Sequence, residues 1–306
     1  MINQRTLGKT LFFSGIGLHG GENANVRIKP ADEDQGIIFK RVDADHYAEI
    51  PADLEHIKQI NYSITLGENG LEVRTVEHLL AALAGMKIDN ATVELDGPEI
   101  PGMDGSAKPL VDLLSEAGTI EQTKPKQFIK IKRPIEASID GKFAMILPYP
   151  EQKISYTICF DHPVLGKQHI SFIMNDAYFT KQIASARTFG FLKDAEAMSK
   201  LGLARGVSLD NSIVIGEKRI LNEKLRYKDE FVRHKVLDFI GDISLAGRPI
   251  IGHLIALKSG HYMNTRLCKK LLEETGSWTL IDGKGLRETN AAEERFTYPE
   301  LVAETV

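Results

Sequence analysis

Apolar and polar positions along this chain recur at two periods. Over residues 1 to 50 the period is two. Leu11 to Phe13 is an apolar run, Asn25 to Lys29 alternates, and Gly36 to Val42 is a further short stretch, so strands are expected here. Leu71 to Gly85 begins with the same alternation and then shifts to a helical period, with Val76, Leu79, Leu80 and Leu83 on one stripe. Thr75 is the expected N-cap and Gly85 the expected stop. A strand follows from Asn90 to Leu95, then a loop dense in Gly and Pro, then a helix capped by Ser106 and ending near Ala117.

The second half repeats this outline. Strands are expected at Phe128 to Ile131, Phe143 to Leu147 and Ile154 to Phe160, a helix at Asp176 to Ala186, and an irregular apolar stretch at 192 to 216. Glu230 to Ser244 reads as one amphipathic helix, with Val232, Val236, Phe239, Ile240 and Ile243 on its apolar side. A strand from Ile250 to Leu257 and a helix from about Tyr262 to Glu274 close the pattern. Both halves therefore run through a His-bearing helix, a glycine, a strand and a further helix. This predicts an α+β fold of two related domains, residues 1–123 and 124–275. The polar, proline-broken start of TKPKQFIKIKR marks the boundary, and its basic run is expected as linker and edge strand. The tail, 276–306, is charged with little periodicity and is expected to be partly disordered.

Composition narrows the class. The chain has 306 residues, 42% of them hydrophobic, enough for substantial cores. A net charge of -4 argues against a general nucleic-acid binder. Cys159 and Cys268 are the only cysteines, which suits a reducing compartment. The start MINQRTLGKT is not a signal peptide, and no apolar run is long enough to span a membrane, so a cytoplasmic location is expected.

Two stretches carry candidate chemistry. Gly15, Gly17 and Gly20 form a G-x-G-x-x-G, which would support a nucleotide-dependent oxidoreductase if a helix followed it. Instead ENANVRIKP alternates and ends in Pro30, so a Gly-rich hairpin is expected, with the role of His19 in its turn open. In the Glu230 helix, His234, Asp238 and Asp242 recur every fourth residue and lie on one face. Taken alone, that stripe reads first as the wet side of an amphipathic helix. If two His-bearing helices faced each other, His78 could join His234 and Asp238 in a three-ligand zinc site with an open position.

The motifs TVEHLLAALAG, GPEIPGMDGSAKP, SARTFGF, LRYKDEFVRHKVLDFIGD and KSGH, in this order, resemble the UDP-3-O-acyl-N-acetylglucosamine deacetylases of bacterial lipid A biosynthesis. The resemblance covers about residues 1 to 275. It implies a zinc amidase of two α+β domains, each layering helices against β-sheets, with the active site in the cleft between them. By motif, His78, His234 and Asp238 are the implied zinc ligands, Glu77 the general base and His261 the general acid. Asp242 is the implied partner of His261, and Thr188 the hydroxyl beside the developing oxyanion. Lys235 is the implied substrate-binding lysine. Phe191, Asp194, Lys142, Phe160 and Lys258 match positions near the UDP part. The stretch 192–216 matches an insert forming an apolar passage for the acyl chain, with Leu192, Met198, Leu203 and Val207 as lining candidates. The resemblance further implies a monomer acting on a small UDP-acyl-amino sugar. A relative that kept the fold and lost the chemistry is the non-catalytic alternative; the complete set of matching positions counts against it. His46, His56, His162, His169 and His253 are expected as surface or satisfied core histidines.

Overall fold

A computed structural model describes residues 2–44, 48–283 and 285–286. The fold is α+β. Strand Asn23–Pro30 shows why: its residues alternate exposed and buried, so one face packs inward and the other meets solvent. The helix Glu77–Gly85 is almost wholly apolar and correspondingly buried nearly all round.

The two halves build the same five-stranded topology. In the first, Leu11–Ile16, Asn23–Pro30, Ala91–Leu95, Ile37–Arg41 and Glu49–Pro51 lie side by side in that order. The only parallel pair is Ala91–Leu95 with Ile37–Arg41. In the second, Ile135–Ile139, Lys142–Leu147, Ile250–Leu257, Gln152–Cys159 and Lys167–Ile173 follow the same order. The parallel pair again joins the last strand in sequence to the third. The two halves thus share strand order and direction. The helix Glu230–Ser244 packs on the strands Gln152–Cys159 and Lys167–Ile173, and the helix His261–Glu273 on Ile135–Ile139 and Lys142–Leu147.

The halves meet where the Glu77 and Glu230 helices cross. Gly241 is the contact point: a Cβ there would stand 2.1 Å from the Glu77 carbonyl oxygen. Only a residue without a side chain lets the two backbones approach this closely. Gly85 has a similar duty, since a Cβ would meet the Phe179 ring at 2.2 Å.

Several expectations change. Thr75 is not an N-cap: its φ is 57° and its hydroxyl donates to Glu99 Oε1 at 2.9 Å. Pairing of Arg74 with Pro98 and Ile100 holds it there, so tertiary contacts displace the local cap. Asp176 to Ala186 is one short turn, Asp176–Tyr178, followed by the π-helical stretch Phe179–Ile183. The basic run is not at an edge. Gln127–Ile131 lies between Ile250–Leu257 and a strand from the tail, Trp278–Asp282. That strand antiparallels Gln127–Ile131, and Trp278 Nε1 donates to the Leu271 carbonyl at 2.7 Å. The strand Thr119–Pro125 runs across the expected boundary and pairs with Asn3–Leu7. The expected disorder at 287–306 lies outside the described residues. No helix among the described residues is long and apolar enough to cross a membrane.

Candidate metal and catalytic site

The stripe on the Glu230 helix is buried, not wet: His234, Asp238 and Asp242 are 2%, 3% and 0% exposed. What covers it is the Glu77 helix of the other half. His78 stands beside His234, ring centroids 5.0 Å apart and planes perpendicular. His234 Nε2 lies 3.2 Å and His78 Nε2 3.5 Å from Asp238 Oδ1. One ligand atom from each residue lies within 4.8 Å of the others. Donors about 2.1 Å from a tetrahedral ion sit about 3.4 Å apart, so the spacing fits one ion held by three residues with a position left open.

The electrostatics fit as well. Burial pushes the His234 pKa down to about 3, against the pull of Asp238, so the ring is neutral and able to ligate. His234 Nδ1 donates to the Ala186 carbonyl at 3.1 Å, which leaves the lone pair on Nε2. Burial works to raise Asp238, but His234 and Lys235 outweigh it and hold the carboxyl well below the usual range. Lys235 Nζ donates to Asp238 Oδ2 at 2.8 Å and lies over the Phe189 ring.

Two acid-base groups flank the three donors. Glu77 is 3% exposed, and its Oε2 accepts the Ile64 N–H at 3.0 Å. Burial raises its pKa, partly offset by His261 and His78. On the other side, His261 Nδ1 donates to both Asp242 oxygens, at 3.0 and 2.8 Å. Burial alone would lower His261, yet the charge and hydrogen bonds of Asp242, with Glu77 and Asp238, lift it to about 9. A carboxyl and an imidazole, both with raised pKa values, thus lie near the three donors.

The residues predicted near a nucleotide fall in different places. Phe160 and Phe191 lie 5.8 Å apart, and Phe160 and Phe189 6.1 Å, in an aromatic cluster reaching His234. Lys142 and Lys258 are exposed at the sheet end where the His261 helix begins, and Asp194 is exposed in the turn after Phe191. Thr188 is half-buried; its N–H donates to the Gly105 carbonyl at 2.8 Å, which ties it to the first half. The stretch 192–216 holds a short helix, Ala195–Lys200, and leaves Leu192, Leu201, Val207 and Leu209 exposed.

Residues 4–273 match the family described as UDP-3-O-acyl N-acetylglycosamine deacetylase. The chain belongs to this family. The UDP-3-O-acyl-N-acetylglucosamine deacetylase of Syntrophus aciditrophicus is 43% identical over 309 residues, covering 100% of this chain and 98% of the relative. The enzyme of the same name from Myxococcus xanthus is 46% identical, with 92% and 90% covered. That of Acidithiobacillus ferrooxidans is 45% identical, with 92% and 94% covered.

Two residues of this deacetylase-family site, Glu99 and Asn264, escaped sequence reasoning, and His19, whose role the sequence left open, lies with them. His19 is buried in the hairpin turn, where its ring interacts electrostatically with His78 and His261. Glu99 builds that turn by accepting the His19 and Gly20 N–H groups at 2.8 and 2.6 Å. The formal G-x-G-x-x-G is thus a hairpin as predicted, and Gly17 leaves room for the Glu99 carboxylate, which a Cβ would meet at 2.4 Å. Asn264 donates to Asp242 Oδ2 at 2.7 Å and accepts from Ser259 Oγ, steadying the partner of His261. A signal was present for Asn264, three residues after His261 and so one helical turn on; Glu99 lies in the GPEIP motif, but its partners in the hairpin turn lie some 80 positions away, beyond local pattern. Of the remaining histidines, His56, His162, His169 and His253 are satisfied by Asp53, the Gly216 carbonyl, Thr157 and Ser155. His46 lies outside the described residues.

Proposed function

We propose that this chain hydrolyses the acetamide of UDP-3-O-acyl-N-acetylglucosamine to acetate and the free amine, an early step of lipid A biosynthesis. Its donor set of two imidazoles and one carboxylate suits zinc held by His78, His234 and Asp238. Zinc, when bound, supplies Lewis-acid polarisation of the carbonyl and lowers the pKa of water to about 7. Glu77, next to a ligand but outside the donor set, takes the proton from the attacking water. The Thr188 hydroxyl stabilises the oxyanion; one such donor is typically worth about 3 kcal/mol. His261, kept protonated by Asp242, gives its proton to the nitrogen as the C–N bond breaks, because an amine leaves poorly unless protonated. Lys235, Phe191, Asp194, Lys142, Phe160 and Lys258 bind the UDP-sugar, and the exposed apolar side chains of 192–216 guide the acyl chain. The chain works as a cytoplasmic monomer of two domains, residues 1–123 and 124–275.

The observation that supports this most is the convergence of His78 and Asp238, from different halves, between a raised carboxyl and a raised imidazole. The test is metal analysis of the purified protein together with acetate release from the UDP-sugar. One zinc per chain and turnover are expected. A protein that takes up no zinc, or takes it up and releases no acetate, overturns the proposal.

A further inference from the structure

One peptide group holds His234 from behind. Its carbonyl, that of Ala186, accepts from His234 Nδ1 at 3.1 Å. The other end of the same amide plane is the Arg187 N–H. That N–H donates to Glu230 Oε1 at 3.1 Å. Glu230 is 0% exposed and stands one helical turn before His234. Its carboxylate also accepts from Arg187 Nε at 2.9 Å, Arg187 Nη2 at 3.3 Å and the Arg226 N–H at 2.6 Å. Arg187 Nη2 reaches the Lys224 carbonyl as well, at 3.0 Å.

We propose that Glu230 is a positioning residue for the metal: its buried carboxylate orients and polarises the Ala186–Arg187 peptide, which sets the tautomer, ring angle and donor strength of His234. Ligating histidines commonly give their second N–H to a carboxylate or a carbonyl, and losing such a partner weakens metal binding 10- to 100-fold. Here both are used in series. A negative charge at the amide N–H raises electron density on the carbonyl oxygen, and hydrogen bonds in such a chain reinforce one another. The imidazole that donates to that oxygen becomes a better electron donor through Nε2.

Arg187 makes the relay rigid. Its guanidinium grips the carboxylate that its own N–H touches, so the peptide plane is fixed at both ends. The next residue is Thr188, so the same clamp sets the hydroxyl beside the reacting carbonyl. A buried ion pair by itself is no evidence of such a role, since apolar residues of similar volume can replace one without loss of stability. The informative feature is the main-chain N–H in the pair, bonded back to back with the ligand's carbonyl.

The inference rests on the reading of His234 as a metal ligand. The test measures zinc dissociation constants of the full chain by competition with a chromophoric chelator, for the unaltered protein, Glu230→Gln and Arg187→Lys. Glu230→Gln removes the charge and keeps the shape; it is expected to weaken zinc about tenfold. Arg187→Lys keeps the carboxylate on the peptide N–H but loses the guanidinium's grip, so it is expected to weaken zinc less than Glu230→Gln does. Unchanged affinity in Glu230→Gln overturns the relay, and so do equal losses in both variants, which would mean that the pair acts only through the fold. An unaltered protein that holds no zinc overturns the metal reading instead. If Glu230→Gln does not fold, the amide resonance of Arg187 in the unaltered protein decides. Zinc makes His234 Nδ1–H a stronger donor, so the Arg187 amide proton must move downfield on titration; no movement, or an upfield one, overturns the relay.

Discussion

Replacing Asp242 by Asn tests how His261 is kept protonated. The pair is buried: the two side chains are 11% and 0% exposed and their hydrogen bond is 2.8 Å long. Asp242 and its neighbours lift His261 to about 9 although burial alone would lower it. Each tenfold in proton affinity is about 1.4 kcal/mol, so the lift from 6.5 to about 9 corresponds to about 3 kcal/mol. Asn keeps the size and removes the charge. With burial left less opposed, His261 then titrates near 6.5 or lower. At pH 7.5 the protonated fraction falls from nearly all to about a tenth, and at pH 8.5 from about three quarters to about 1%. The turnover deficit should therefore grow with pH, from about tenfold at pH 7.5 to about 80-fold at pH 8.5. The assay is kcat for acetate release across pH 5.5 to 9.5, with zinc content checked at each end. A deficit of constant size, with the alkaline limb still near 9, would refute the assignment of His261 as an acid sustained by Asp242. The same pair makes stability depend on pH. The folded-state pKa of His261 lies above its unfolded value, so the contribution is complete below pH 6.5 and is lost as pH rises through about 9. In the metal-free protein the Tm gap between Asp242→Asn and the unaltered chain should accordingly narrow above pH 9.

Three further outcomes are expected. Glu77→Gln should keep zinc and lower kcat by about 10²- to 10⁴-fold, with the acidic limb of the pH profile removed; zinc loss in metal analysis would place Glu77 among the ligands. His78→Ala removes one of three donors, so zinc content should fall well below one per chain after dialysis while the circular dichroism spectrum stays that of a folded protein. Gly241→Ala puts a Cβ 2.1 Å from the Glu77 carbonyl oxygen, so the crossing helices must part. A loss of about 1–3 kcal/mol in urea unfolding is expected, with reduced zinc affinity because the ligands sit on both helices; a change below about 0.5 kcal/mol would show that the crossing is not tight.

Local pattern was enough to place the elements that bear the site. The Glu230–Ser244 helix and the Ile250–Leu257 strand begin and end where periodicity put them. Glu77, His78, His234, Asp238, Asp242 and His261 all came from motifs, and all converge. Tertiary pairing overrode the local signals at Thr75, which bonds Glu99 instead of capping, and in the basic run, which became an interior strand once Trp278–Asp282 lay beside it. A strand's neighbours are set by hydrogen bonds to distant segments, which no local period encodes.

The sequence by itself determined that His234, Asp238 and Asp242 share a helix face, because a spacing of four is one turn whatever surrounds it. It could not determine whether that face met water. The tertiary structure decided this by crossing the helix at Gly241 with one from the other half, bringing His78 to 3.5 Å from Asp238 and leaving Asp242 wholly enclosed beside His261. Burial then did what spacing cannot: it removed the charge from His234 and, by placing Asp242 against His261, put one there.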